Sequence, residues 1–222
     1  MILKRGVVMV RLIEHKKIIA GCIILILIVF TIVIIMLPQR TTEIKNNIVY
    51  MSGYYTEYPD KDDPRYYIEF KNDGTYVLMY DDSRRNEENY DEDGDGSRPI
   101  IDMYFGKYKI KNGNFLIKPS EEAGVGFKDT VAVKNNRINS YEYINYENDK
   151  RTAWRIIQKS KWGKYQLGSL NADKDSLDKQ RPYYTLYNKS DIKKLPSSPE
   201  EFRKQFKMDK KAEQERLAEQ NR

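Results

Sequence analysis

Residues 18–37, from Ile18 to Leu37, form a run of twenty positions without a charged side chain. A helix of about twenty apolar residues matches the thickness of a bilayer's hydrocarbon core. The rest of the chain cannot enclose such a helix in a soluble core, because 72 of its 222 residues are Lys, Arg, Asp or Glu (39 basic, 33 acidic). The run therefore predicts a transmembrane helix over 18–37. Lys4, Arg5, Arg11, Lys16 and Lys17 precede it against the single acid Glu14, whereas Arg40 and Lys45 are the first bases after it. That asymmetry predicts a cytoplasmic N-terminus over 1–17 and a single-pass protein whose C-terminal body is extracellular. A cleaved signal peptide would have a shorter apolar core and a small-residue cleavage site, but this core ends in Met36-Leu37-Pro38-Gln39.

Ile19-Ala20-Gly21-Cys22 resembles a bacterial lipobox over four residues, but there the apolar region precedes the cysteine and here it follows. Cys22 is the only cysteine and His15 the only histidine, and neither lies beyond the apolar run. The body after residue 37 thus has no disulfide, no thiol nucleophile and no histidine base or zinc ligand of its own. Disulfide-free export suits a bacterial cell envelope better than a small secreted eukaryotic domain. No enzyme is expected, and paired carboxylates are the only catalytic chemistry the composition leaves open.

Charge is unevenly distributed. Residues 38–149 hold fifteen bases and twenty-two acids, while residues 150–222 hold nineteen bases and ten acids. The overall +6 is therefore no signature of nucleic-acid binding, and no nucleic-acid partner is expected. The basic tail offers contact with a protein or an anionic envelope polymer; bases and acids interleave there, which equally describes a solvated tail.

Beyond a linker at 38–47, the segment 48–159 reads as strands and tight turns. Ile48 to Tyr55 leads; Arg65 to Lys71 alternates, with Tyr66, Ile68 and Phe70 on one face. Asn72-Asp73-Gly74 is a hairpin turn, with Thr75 to Tyr80 returning from it. Ile100 to Lys111 and Phe115 to Ile117 flank a second turn at Asn112-Gly113. Asp129 to Lys134 and Ile138 to Tyr146 suggest a third hairpin around Asn135-Asn136, and Thr152 to Lys159 a closing strand. Gly124-Val125-Gly126 reads as a turn between strands. About eight strands joined by short turns predict an antiparallel meander closing into a barrel. The many tyrosines offer either core filling or a face for stacking sugars or peptides, with core filling the plainer expectation.

Gly53-Tyr54, Phe70 with Asp73-Gly74-Thr75-Tyr76, and Gly106, Tyr108, Ile110 and Gly113 together resemble the small lipocalin-like β-domain of many exported bacterial proteins. The resemblance spans roughly residues 50–158 and rests on turns and inward aromatics. It implies a barrel that either binds a small apolar ligand or serves as a passive module, and it brings no catalytic residues. The acidic stretch 81–99 departs from the pattern. Within it, Asp91, Asp93 and Asp95 followed by Gly96 occupy positions 1, 3, 5 and 6 of a calcium loop, with Asp102 at position 12. Pro99 and the strand-like flanks count against an EF-hand, so calcium stands beside a plain solvated loop as an alternative, and no other cofactor is expected.

Residues 160–197 read as an irregular extension, in which Tyr183 to Tyr187 is either one more strand or an arm on the barrel. Residues 198–222 read as a charged helix. Ser198 is its cap, Pro199 its first position, Glu201 completes a capping box, and Phe202 and Phe206 share a face. The chain as a whole is expected to be mainly β: one N-terminal transmembrane helix, a lipocalin-like barrel and a charged C-terminal helix. The expected function is a non-catalytic, membrane-anchored binding module of a bacterial envelope. A carrier barrel for a lipid or other apolar ligand and a calcium-stabilised module are the alternatives.

Overall fold

The structure, a computed structural model, describes residues 22–31, 43–52, 57–91, 98–146, 153–173 and 175–220. Residues 22–31 are helical (α1) and exposed. Among the described residues no helix is long and apolar enough to cross a membrane; positions 18–21 and 32–37 of the expected span lie outside them.

The body is built on eleven strands: β1 (Val49–Ser52), β2 (Arg65–Phe70), β3 (Thr75–Asp81), β4 (Ile100–Lys111), β5 (Asn114–Gly126), β6 (Arg137–Ile138), β7 (Ser140–Asn145), β8 (Arg155–Lys159), β9 (Tyr165–Ser169), β10 (Tyr183–Tyr187) and β11 (Lys207–Met208). Among the described residues of the body the helices are α2 (Glu88–Asp91), α3 (Thr130–Lys134) and α4 (Pro199–Arg203), which lie between strands, and α5 (Lys210–Gln220), which follows β11. Eight strands close an antiparallel barrel in the cyclic order β1-β2-β3-β4-β5-β8-β9-β10, with β10 pairing back to β1. Strand β7 branches from the second half of β5, beside Glu121 to Gly126, while β8 takes the first half at Phe115 to Ile117.

The turns follow the sequence. Gly74 at φ +82°, and Asn112 and Gly113 at φ +53° and +75°, supply the positive dihedrals that the β2–β3 and β4–β5 turns need. The long β4–β5 hairpin carries a bulge between Phe105 and Gly106.

Alternation on these strands gives two cores. Tyr50, Ile68, Phe70, Tyr76, Leu78, Phe115, Ile117, Ile157, Tyr165, Leu167 and Leu186 come from all sides of the ring and form one buried cluster, which is the barrel interior. The rings fill it: Phe70 packs on Phe115 at 4.8 Å and on Tyr108 at 4.9 Å, and Phe115 on Tyr165 at 6.1 Å. The opposite face of β1–β5 presents Val49, Met51, Tyr67, Val77, Met79, Met103, Phe105, Ala123 and Val125, and Leu195, Phe202 and Phe206 cover it. These three residues belong to a strap after β10 that is tied down at several points. Glu69, 3 % exposed on β2, accepts a hydrogen bond from the Leu195 N–H at 2.9 Å and pairs with Lys71 at 2.5 Å. Tyr67 donates to Asp191 at 2.8 Å, and Arg84 bridges Asp191 and Asp81, each at 2.8 Å. Strand β11 pairs in parallel with β6.

Several expectations need correction. The barrel does not end at residue 159: β9 and β10 lie in the supposed irregular extension, and without them the ring stays open between β8 and β1. Thr130 to Lys134 is helix rather than strand, because the Asp129 carboxylate caps it, accepting from the Ala132 N–H at 2.7 Å. Gly124-Val125-Gly126 is strand, not turn. A Cβ at Gly124 would stand 2.7 Å from Asp102 Oδ1, so the glycine answers close side-chain approach rather than a reversal. The C-terminal segment is not one charged helix; β11 interrupts it between α4 and α5. Ser198 caps α4 as expected, accepting from the Glu201 N–H, but Glu201 does not close the expected box: it accepts instead from the N–H of Ser197, one residue before the cap, at 2.7 Å.

Candidate functional site

The turns β2–β3, β4–β5 and β8–β9 lie at one end of the barrel, so the other end is where β1, β3, β5 and β9 run out. At this second end the inward-facing row is polar and aromatic. The β2–β3 register sets Tyr66 opposite Tyr80. The same row continues from Tyr80 to Asp102, from Asp102 to Gly124 and from Gly124 to Glu142, crossing β3, β4, β5 and β7. The next row sets Tyr104 opposite Glu122. The Tyr66 ring lies 4.9 Å from Tyr80 and 4.7 Å from Tyr184 of β10. Arg155, at the start of β8, holds its guanidinium 5.8 Å from the Tyr66 ring and 5.6 Å from the Tyr104 ring. Tyr66, Tyr80, Tyr104, Tyr184, Arg155, Asp102 and Glu122 are all half-buried. They form the mouth above an interior that is already full.

The electrostatics of the mouth are those of crowded acids. Burial, then the charges of Glu122, Glu142 and Asp82, pushes the Asp102 carboxyl up to about 6. Burial and the charge of Asp82 push the Tyr80 phenol up to about 12. Burial, then the charges of Glu122 and Asp102, raise Tyr104 against the opposing charge of Arg155. Tyr146 donates its hydroxyl to Glu122. Tyr80 and Tyr104 therefore stay neutral hydrogen-bond donors. Asp102 gains and loses a proton near neutral pH, and Arg155 supplies a fixed positive charge already resting on aromatic rings. This set can bind, by stacking and by mixed donation and acceptance. No thiol or imidazole is present to attack or to shuttle protons.

Of the calcium residues of the sequence reading, only two fall among the described residues. Asp93 and Asp95 lie outside the described residues, Asp91 falls on the last residue of α2, and Asp102 belongs to the mouth. Among the described residues no three metal-ligating side chains converge. Gly53-Tyr54, the opening motif of the lipocalin-like resemblance, also lies outside them. Phe202 and Phe206 sit in the chain's own outer core, 5.2 Å apart, with Phe206 at 5.7 Å from Phe127, so they are not presented to a partner. Sequence reasoning missed Arg155 and the row it completes. The Tyr66–Tyr80 pair was within its reach, because the turn at Asp73-Gly74 fixes that register; Arg155 was not, because nothing local marks which strand closes over Tyr66.

No protein-family model matches the chain, and comparison with curated proteins returns no similar one.

Proposed function

We propose that this chain is a non-catalytic binding module of a bacterial cell envelope, held to the membrane by residues 18–37 and engaging its partner through the tyrosine-lined mouth of the barrel. The observation that carries the reading is the half-exposed stack of Tyr184, Tyr66 and Tyr80 beside Arg155 and the raised carboxyl of Asp102. Half-buried aromatic faces next to unlike polar groups are the makings of a recognition surface. Its chemistry suits a polyhydroxylated or peptide ligand, whose flat faces stack on tyrosine and whose hydroxyls or amides meet Asp102, Glu122 and Arg155.

The apolar-carrier reading has less support. The volume a lipid chain would need is taken by Phe70, Phe115, Tyr76 and Tyr165, all buried. The twenty uncharged residues of the span and the bases before it support anchoring.

The test is photo-crosslinking in membranes of cells producing the full chain. A benzophenone side chain at position 80 is expected to give a discrete adduct, lost when Arg155→Ala is added. An adduct pattern indifferent to Arg155→Ala would sink the reading, as would recovery of the whole chain in the soluble fraction.

A further inference from the structure

The end of the barrel opposite the mouth has a different chemistry. The β2–β3, β4–β5 and β8–β9 turns meet there, and so does the incoming chain. Asn47 donates its N–H to Phe70 O at 2.7 Å, and the Asn46 side chain donates to Asn72 at 3.1 Å. The pairing of Phe115 with Ile157 sets the β4–β5 and β8–β9 tips side by side. On one tip Ile110 is 62 % exposed between Lys109 and Lys111. On the other Trp162 is 84 % exposed, with Lys161 and Lys164 about it. The indole stands on an ordered turn. The Gly163 N–H donates to Ser160 O at 2.9 Å with Gly163 at φ +73°, and the Ser160 N–H donates to Lys164 O at 2.7 Å.

No acid occurs at 103–120 or at 150–172, the stretches that supply these tips. Of the acids near this end, Asp73 accepts from Thr75, Glu43 pairs with Lys45 at 3.5 Å, and Glu69 is buried against Lys71. An exposed indole and isoleucine ringed by lysines match a bilayer interface. Indole rings favour the headgroup region, and lysines are drawn to anionic headgroups while their stems lie along the apolar boundary. The tether limits where this end can go. Six residues lead from Leu37 to Glu43, and an extended chain covers at most about 3.5 Å per residue.

We infer that this basic end of the barrel rests on the anionic phospholipid surface of the membrane that holds residues 18–37, with Trp162 and Ile110 entering the headgroup layer and Lys109, Lys111, Lys161 and Lys164 meeting lipid phosphates. The inference rests on the anchoring proposed above. It turns the tyrosine mouth away from the bilayer, towards whatever the envelope presents.

The chain holds two tryptophans, so Trp154→Phe leaves Trp162 as the single indole. Full chain carrying that change is reconstituted into phosphatidylcholine vesicles with and without phosphatidylglycerol, in each case with a fraction of lipid brominated near the glycerol backbone. Flotation is measured first, then indole emission. With phosphatidylglycerol, Trp162 is expected to shift to the blue and to be quenched about two-fold or more relative to bromine-free vesicles. High salt or the Lys109→Glu, Lys111→Glu, Lys161→Glu, Lys164→Glu variant is expected to reverse both effects. The converse variant, Trp162→Phe, keeps only Trp154, half-buried on the barrel flank with Lys109 Nζ 5.8 Å from its ring, and is expected to be quenched less than Trp162. A chain that floats while Trp162 emits as in water and escapes quenching overturns this inference alone. A chain that does not float overturns the anchoring reading beneath it.

Discussion

A carboxyl that shares a half-buried rim with three other acids holds its proton longer than it would in water, and Asp102 illustrates the consequence. Its ordinary value is 3.8 and its folded value about 6. Below about pH 4 it is protonated in the folded and unfolded chains alike. Between about 4 and 6 the folded chain holds a proton that the unfolded chain has released, so stability falls as pH rises through that window, and the loss persists above it. Asp102→Asn should therefore melt higher than the wild type at pH 8, by about 1 kcal/mol after allowing for solvent at this half-buried site, with the gap closing below pH 4. Thermal melts of both proteins across pH check this. Glu69 is the opposite case, a buried carboxylate whose partners are in place. Glu69→Ala leaves Lys71 and the Leu195 N–H without their acceptor, and should cost about 2–4 kcal/mol in denaturant unfolding. Neither role could be read locally. Asp102 looked like the last ligand of a loop, because its spacing from Asp91 is visible in the sequence and its neighbours Glu122 and Glu142 are not. Nothing near Glu69 in the sequence marks it as buried, because the strap that buries it arrives 126 residues later.

At the scale of elements, the hairpins were the legible part, and for a physical reason. Asp73-Gly74 and Asn112-Gly113 fix turn and register within a few residues, and the alternation on either side then says which face is apolar. Alternation alone could not say that both faces of β1–β5 are buried, since Tyr67, Val77 and Met79 lie between inward residues. The strap supplies their cover. The barrel has the expected eight strands but a different membership: Val131 and Val133 gave residues 130–134 a strand composition that the Asp129 cap overrides, β10 is the run Tyr183 to Tyr187 whose alternatives were a strand or an arm, and β9, which holds Gly168, carried no strand signal. If the strap is part of the core, Phe202→Ala should cost about 3–4 kcal/mol, whereas Leu217→Ala, at a position 45 % exposed on α5, should change stability by no more than about 0.5 kcal/mol. A solvated, frayed tail would make the two variants alike, and urea titration distinguishes them.

The whole molecule is polarised. Acids and tyrosines gather at one end of the barrel, and lysines, Trp162 and the incoming chain at the other. Net charge conceals this, because the body between residues 38 and 149 is acidic while the last third is basic. Under the anchoring and binding proposed above, this arrangement gives the module a direction, with one end for the bilayer and one for recognition. The interior is filled by buried rings.

The account turns on the chain being fixed in a membrane with its barrel outside. Proteinase K treatment of intact cells producing the full chain, with an epitope tag placed before Met1, measures this directly. The expected result is loss of the full-length band and survival of a short tagged fragment in the membrane pellet. Survival of the full-length chain until the cells are broken, or loss of the tag while the cells are intact, would contradict it.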